Sequence, residues 1–363
     1  MINKFLSLFV AFAVLTTFSC SSDDNNTPTG PINVLIEGAA IAPEVGGPNQ
    51  PNQVFIDLST SNTTEIRRDT WDLGFYSGSD FRVVINGSIY MAAGKLNTTN
   101  IDAVTSSSPE VQDLQTQVAV GTFEASSADY IDNPLGNING TAIDAVSSNP
   151  DANYVYLLNL GYKVGTNTPA TGSVEVSGDP RGWKKVRITK SGNDYLLQYA
   201  DLDATTHDTI TISKTPNYNF TFFSFDTETE VTIEPAKMNW DLNFTVFTNE
   251  IPGFGAYGYT DFVLTNTKAD VTAYVVDTEV DTNLSYDNFT LANVVDTNFS
   301  NDQRAIGSSW RSGGGPNSLP SLKDNVFYII NDTDGNLYKL KFLALTSASG
   351  ERGYPEFVYS LLQ

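Results

Sequence analysis

Any metal chemistry in this chain has to be done by very few side chains. The 363 residues include one His, one Cys and three Met, and imidazole, thiolate and thioether are the donors that borderline and soft metals select. Cys20 follows an apolar run directly, so it reads as a lipid-bearing residue rather than a ligand. Met1 belongs to the same leader. His207, Met91 and Met238 remain. Met238 abuts Asn239-Trp240, a context that suits a thioether filling a core gap. Met91 and His207 are therefore the candidate metal ligands, set against plainer roles as a core Met and a loop His.

A second candidate site is the loop from Ser308 to Pro316. Arg311 can pair with a carboxylate, Trp310 can stack on a flat ring, and Gly313-Gly314-Gly315 allows close backbone approach. The plainer reading is a connection anchored by one Trp. Trp71-Asp72 recurs as Trp240-Asp241, which fits a buried aromatic on a strand beside an Asp that bonds nearby backbone. Asn331 to Gly335 has the look of a calcium loop, but Phe342 stands where the twelfth-position carboxylate belongs. A hairpin turn fits better. Catalysis has little support: there is no Gly-x-Ser-x-Gly elbow, Walker loop or His-Glu-x-x-His. No carboxylate pair stands out among the 42 acids, so the chain is not read as an enzyme.

The chain begins with Met1-Ile2-Asn3-Lys4 and an apolar stretch from Phe5 to Phe18. That is a signal peptide pattern, shorter than the roughly 20 residues needed to span a bilayer. Thr17-Phe18-Ser19-Cys20 is similar to a lipobox, though Thr17 and Phe18 depart from its usual residues. A cleaved secretory signal with an incidental Cys is the alternative. Residues 1–19 are thus assigned to the signal, and residues 20–50 to a lipid anchor and disordered linker. With 42 acids against 20 bases, a net charge of −22 argues against nucleic-acid binding, which needs a basic face. Contact with the membrane is expected only through the anchor.

The elements that must position these residues are strands. Val54 to Ile56, Arg82 to Ile85, Tyr154 to Leu158, Val186 to Ile188, Tyr195 to Tyr199, Phe220 to Phe225, Val326 to Ile330 and Tyr338 to Leu343 are short β-branched and aromatic runs. Ser191 to Asp194 and Asp334-Gly335 are hairpin turns between them. One short helix is expected after Ser108-Pro109-Glu110. The fold class is mainly β. Four landmarks return in the same order: the Trp-Asp strand 169 residues later, Asp80-Phe81-Arg82-Val83 as Asp261 to Leu264, Ile101-Asp102-Ala103 as Tyr286 to Asn288, and the closing hairpin. Two similar antiparallel β domains are therefore expected, 51–215 and 216–363, meeting near Thr215-Pro216.

Asn239 to Leu242, Val326 to Ile330, Tyr338 to Phe342 and Gly350 to Pro355 together resemble the HmuY family of bacterial haem-binding lipoproteins. The likeness is clearer over Asn217 to Gln363 than over the first half. It implies an all-β fold, an outer-membrane, lipid-anchored location at the cell surface, and capture of haem, or a similar planar ligand, for an outer-membrane transporter. Family members ligate haem from loops between the Trp-Asp strand and the closing hairpin. Thr245 to Asn325 holds no His, Met or Cys, so no axial pair carries over. The alternative is a surface β protein that binds glycan or protein and no haem.

Overall fold

The computed structural model describes residues 37–314 and 318–363; the expected signal peptide and Cys20 lie outside them. The chain opens with β1 (Gly38–Ile41), β2 (Asn52–Ile56) and β3 (Thr63–Arg67). It continues with β4 (Leu73–Tyr76), β5 (Val83–Ile85), β6 (Ala92–Lys95), α1 (Pro109–Gln115) and β7 (Val155–Asn159). Next come β8 (Trp183–Ser191), β9 (Asp194–Asp201), β10 (Asp208–Ile212), β11 (Phe220–Ser224) and β12 (Thr229–Val231). The final third holds β13 (Leu242–Ile251), β14 (Gly255–Thr265), β15 (Thr272–Asp277) and a two-strand ribbon, β16 (Arg311–Ser312) with β17 (Ser321–Leu322). It closes with β18 (Val326–Asn331), β19 (Leu337–Thr346) and β20 (Arg352–Leu361).

Every strand pairing is antiparallel, and the protein is mainly β as the alternating runs imply. The turns fall where Gly supplies the left-handed backbone. Gly192 (φ 65°) joins β8 to β9, and Gly335 (φ 82°) joins β18 to β19. At the second turn Asp332 accepts the Asp334 and Asn336 N–H groups, a side chain mimicking backbone. Helix α1 starts with Pro109 in its first turn, where the missing N–H costs nothing.

The strands gather into two lobes, each with a five-stranded and a four-stranded sheet. The first lobe has the orders β10-β9-β8-β7-β6 and β12-β11-β4-β5, using residues 73–231 alone. The second has β1-β20-β19-β18-β15 and β14-β13-β2-β3, so it takes its strands from both chain ends. Each lobe buries its own core: Leu73, Phe75, Leu158, Val186 and Phe223 in the first, Ile56, Leu242, Phe244, Ile330 and Phe357 in the second. Residues 34–363 form one compact unit.

This pairing does not follow the division at Thr215-Pro216. Strands β2 and β3, expected in the first domain, pair with β13. Strands β11 and β12, expected in the second, pair with β4. Nor are residues 38–50 a disordered linker: β1 pairs with β20, and Val45 and Gln50 are buried. The repeat itself is visible in the sheets. Strand β1 edges β20 as β10 edges β9, and the β2–β3 hairpin meets β13 as the β11–β12 hairpin meets β4. The opening strands of each sequence repeat complete the other lobe. Period-two patterning cannot show this, because it marks a strand without naming its neighbour.

Candidate functional site: the cavity between the lobes

The two Trp-Asp motifs fasten those crossing hairpins. Asp72 Oδ2 accepts the Phe225 N–H at 2.7 Å, and Asp241 Oδ2 accepts the Leu58 N–H at 2.7 Å. The other oxygen of Asp72 meets Arg181 Nη1 at 2.6 Å in a buried ion pair, while that of Asp241 accepts the Thr333 N–H. The Trp rings follow the same symmetry. Trp71 packs edge-on against Phe222 (4.8 Å between centroids) and Trp240 against Phe55 (5.0 Å). These four rings, with Ile66, Phe220, Val231 and Ile233, form one apolar cluster drawn from both lobes. Nearby, the buried Arg68 donates to the carbonyls of Gln50, Ser88 and Val176, tying second-lobe backbone to first-lobe backbone.

This cluster borders a cavity of about 200 Å³. Six aromatic rings line it: Phe55, Trp71, Phe220, Phe222, Trp240 and Phe247. Five of the lining residues carry a buried polar atom that bonds to nothing in the protein: Gln53 Nε2, Trp71 Nε1, Trp240 Nε1, Asn243 Oδ1 and Thr265 Oγ1. Buried polar groups are almost always bonded, so five orphans on the residues of one lining single it out as a candidate site.

Three charged groups share the lining: Asp132, Glu234 and Lys268. The loop carrying Asp132 belongs to the first lobe and is held against the second. Gln303 Nε2 donates to Pro134 O at 3.0 Å, Gln303 N to Leu135 O at 3.1 Å, and Lys268 Nζ to Gly136 O. Glu234 Oε1 accepts both the Asn219 and Phe220 N–H groups, at 2.7 and 2.9 Å. Burial nevertheless pushes its carboxyl up to about 8. Burial likewise raises Asp132 to about 7, although the Ala142 and Ile85 N–H groups oppose the shift, and it lowers Lys268 to about 8.

A carboxyl raised in the folded state binds its proton more tightly there than in the unfolded chain. Its contribution is therefore full below the unfolded value of 4.5 and is lost as pH rises through about 8. Glu234→Gln should flatten the fall in stability between those values, measured as urea midpoints across pH. An unchanged slope would remove Glu234 from the account.

The side chains singled out in the sequence are placed apart. Met91 is fully buried in the first-lobe core and touches the cavity wall. His207 sits beside β10 with both ring nitrogens engaged: Nδ1 with Asp102 at 2.8 Å, Nε2 with Gln198 at 2.8 Å. Met238 is exposed rather than core filler. Trp310 is wholly buried and stacked on Phe342 (4.1 Å, 13°), inside the second-lobe core. Its ring face is covered by protein. Arg311 is buried too, donating to Thr260 O and lying 3.6 Å from Asp261, whose carboxylate also takes Arg352 and Gln50. Its guanidinium already has a carboxylate. Trp310 and Arg311, the two side chains offered for a ligand, are thus built into the lobe. Among the described residues, no group of three or more His, Cys, Asp or Glu could hold a metal ion.

The cavity residues went unnoticed because each is ordinary alone. Gln53 and Asn243 are polar residues within strands, Glu234 lies in a loop, and only the fold brings them together. The one readable trace was the repeated Trp.

The HmuY protein family matches the chain over residues 49–208 and 217–359. No curated protein matches it. Among solved structures, apo PinO from Porphyromonas gingivitis aligns over 90% of this chain and 98% of its own, at 9% identity and a TM-score of 0.23, too slight a likeness to bear on the fold. Two family segments in tandem account for the duplicated sheets, the paired Trp-Asp motifs and most of the chain's length: the protein belongs to the HmuY family.

Proposed function

We propose that the protein is a non-enzymatic capture protein of the bacterial surface, anchored through Cys20, which holds its ligand between the lobes and passes it to an outer-membrane transporter. The leader sequence and the family support the location, since HmuY proteins are surface-exposed. The observation that carries the reading is the cavity of about 200 Å³ lined by the Trp of both Trp-Asp motifs.

Haem, the group associated with the family, does not fit these residues as a closed six-coordinate complex. That state needs two strong axial donors. His207 has both ring nitrogens bonded, Met91 stands alone at the cavity wall, and among the described residues no Tyr lines it. Size points the same way. A cavity of about 150 Å³ holds one benzene, so this one suits one or two rings rather than a tetrapyrrole.

Titrating the purified mature protein with haemin should leave a broad Soret band close to that of free haemin at micromolar concentration. A sharp low-spin, six-coordinate spectrum would overturn the reading, and Met91→Ala and His207→Ala would then identify the ligands.

A further inference from the structure

We propose that the cavity between the lobes binds a compact heteroaromatic molecule of one or two rings that both donates and accepts hydrogen bonds at its edge. This inference rests on the capture reading above and names the class of ligand. Three observations carry it.

The first is the count of unpaired atoms. Gln53 Nε2, Trp71 Nε1 and Trp240 Nε1 are donors, Asn243 Oδ1 is an acceptor, and Thr265 Oγ1 can act as either. Gln53, Trp240, Asn243 and Thr265 are each more than nine-tenths buried. A guest that only accepts, or only donates, would leave part of this set unpaired in a low-dielectric space.

The second is the wall. Six aromatic rings from both lobes line the cavity. Such walls favour another π-system, through stacked or edge-on contacts beyond simple burial. A guest bearing a hydroxyl on nearly every carbon would press several of them against these rings without a partner. Water in the cavity would gain nothing from the aromatic surface.

The third is size. About 200 Å³ is somewhat more than a single benzene ring occupies and well short of a fused macrocycle. Mostly apolar walls with a few fixed polar groups are the usual make-up of a small-molecule site.

Adenine and cytosine serve as probes, with toluene as the apolar control and glucose as the hydroxylated one. Each is titrated into the full mature chain by calorimetry and by Trp fluorescence. At least one base should bind saturably with Kd below about 1 mM, the scale expected for a ligand of about ten non-hydrogen atoms, and both controls should bind at least tenfold more weakly. Trp240→Phe keeps an aromatic ring, though a smaller one, while removing the N–H, and should weaken base binding about tenfold. Thr265→Val removes an unbonded hydroxyl at nearly constant volume. It should weaken binding while leaving the thermal midpoint unchanged or raised, so loss of binding there cannot be loss of fold.

Tighter binding of toluene or glucose, no base binding at 10 mM, or base binding that neither variant alters would overturn the proposal. Haemin is titrated into the same sample. A low-spin haemin complex overturns the exclusion of haem on which the capture reading chooses its ligand, whereas failure of the bases with haemin unliganded overturns only the class of ligand.

Discussion

Residues 69–234 produced without the rest of the chain should unfold in one cooperative transition, and residues 51–215 should not. The longer-range pairing decides this. The segment 69–234 contains every strand of the first lobe, β4 through β12, and the whole first-lobe core. The segment 51–215 loses β11 and β12 and keeps β2 and β3, whose partner β13 is then missing. Losing β11 and the turn after it removes Phe223 and Phe225 from the first-lobe core, both buried. Burying one such ring contributes about 2 kcal/mol, so roughly 4 kcal/mol goes with them. That is close to the entire stability of the weaker domains, about 5–15 kcal/mol overall.

The loss extends to hydrogen bonding. Without β11 the N–H groups of Asp72 and Ser77 lose the Phe223 and Asn219 carbonyls, and β4 becomes an unpaired edge. The 69–234 segment does expose Trp71, Phe220 and Phe222 at the former junction, so its urea midpoint should lie below that of the intact protein. Circular dichroism and Trp fluorescence through a urea titration test both segments. A cooperative transition for 51–215, or none for 69–234, would mean that the crossing hairpins do not define the folding unit.

Most elements were legible in the sequence because their signals are local. Val54 to Ile56, Tyr195 to Tyr199 and Phe220 to Phe225 carry β-branched and aromatic residues in strand-length runs, and Gly192 and Gly335 sit where tight turns need positive φ. Helix α1 was announced by Ser108-Pro109-Glu110. What stayed hidden was non-local. A hairpin's inner pairing is set by its turn, but its outer neighbour is chosen by packing against residues more than a hundred positions away, as Asn243 opposite Phe55 shows. The same limit misplaced Trp310 and Arg311. Large and charged residues among glycines look like a ligand loop, yet Phe342 and Asp261, which occupy them, come from other elements. The cavity failed to show for a related reason. An unpaired Gln53 or Thr265 differs from a paired one only in its surroundings.

The paired Trp-Asp motifs look equivalent in sequence, but their acids should not be equally costly to lose. Asp72→Ala should destabilise the protein by about 3–5 kcal/mol, the usual cost of stranding a buried charge. Asp72 is fully buried and its partner Arg181 nearly so, at 2.6 Å. Arg181 keeps only the solvent-exposed carboxylate of Asp226, at 3.2 Å, and a carbonyl contact to Leu160. The Phe225 N–H is left unpaired as well. Asp241→Ala strands no cation. It frees only the N–H groups of Leu58 and Thr333, at about 1–3 kcal/mol for each one kept from water.

A second comparison separates charge from hydrogen bonding. Asp72→Asn retains an oxygen for Phe225 or for Arg181 but no negative charge, so its loss should fall between wild type and Asp72→Ala. At position 241 the Asn variant likewise keeps one acceptor where Asp offered two, so its loss should also fall between wild type and Asp241→Ala. Urea denaturation of the four variants at one pH gives all the differences. A Δmidpoint for Asp72→Ala no larger than that for Asp241→Ala would show that Arg181 finds solvent or Asp226 when its partner is removed, and that the motif's acids act only as backbone clamps for the crossing hairpins.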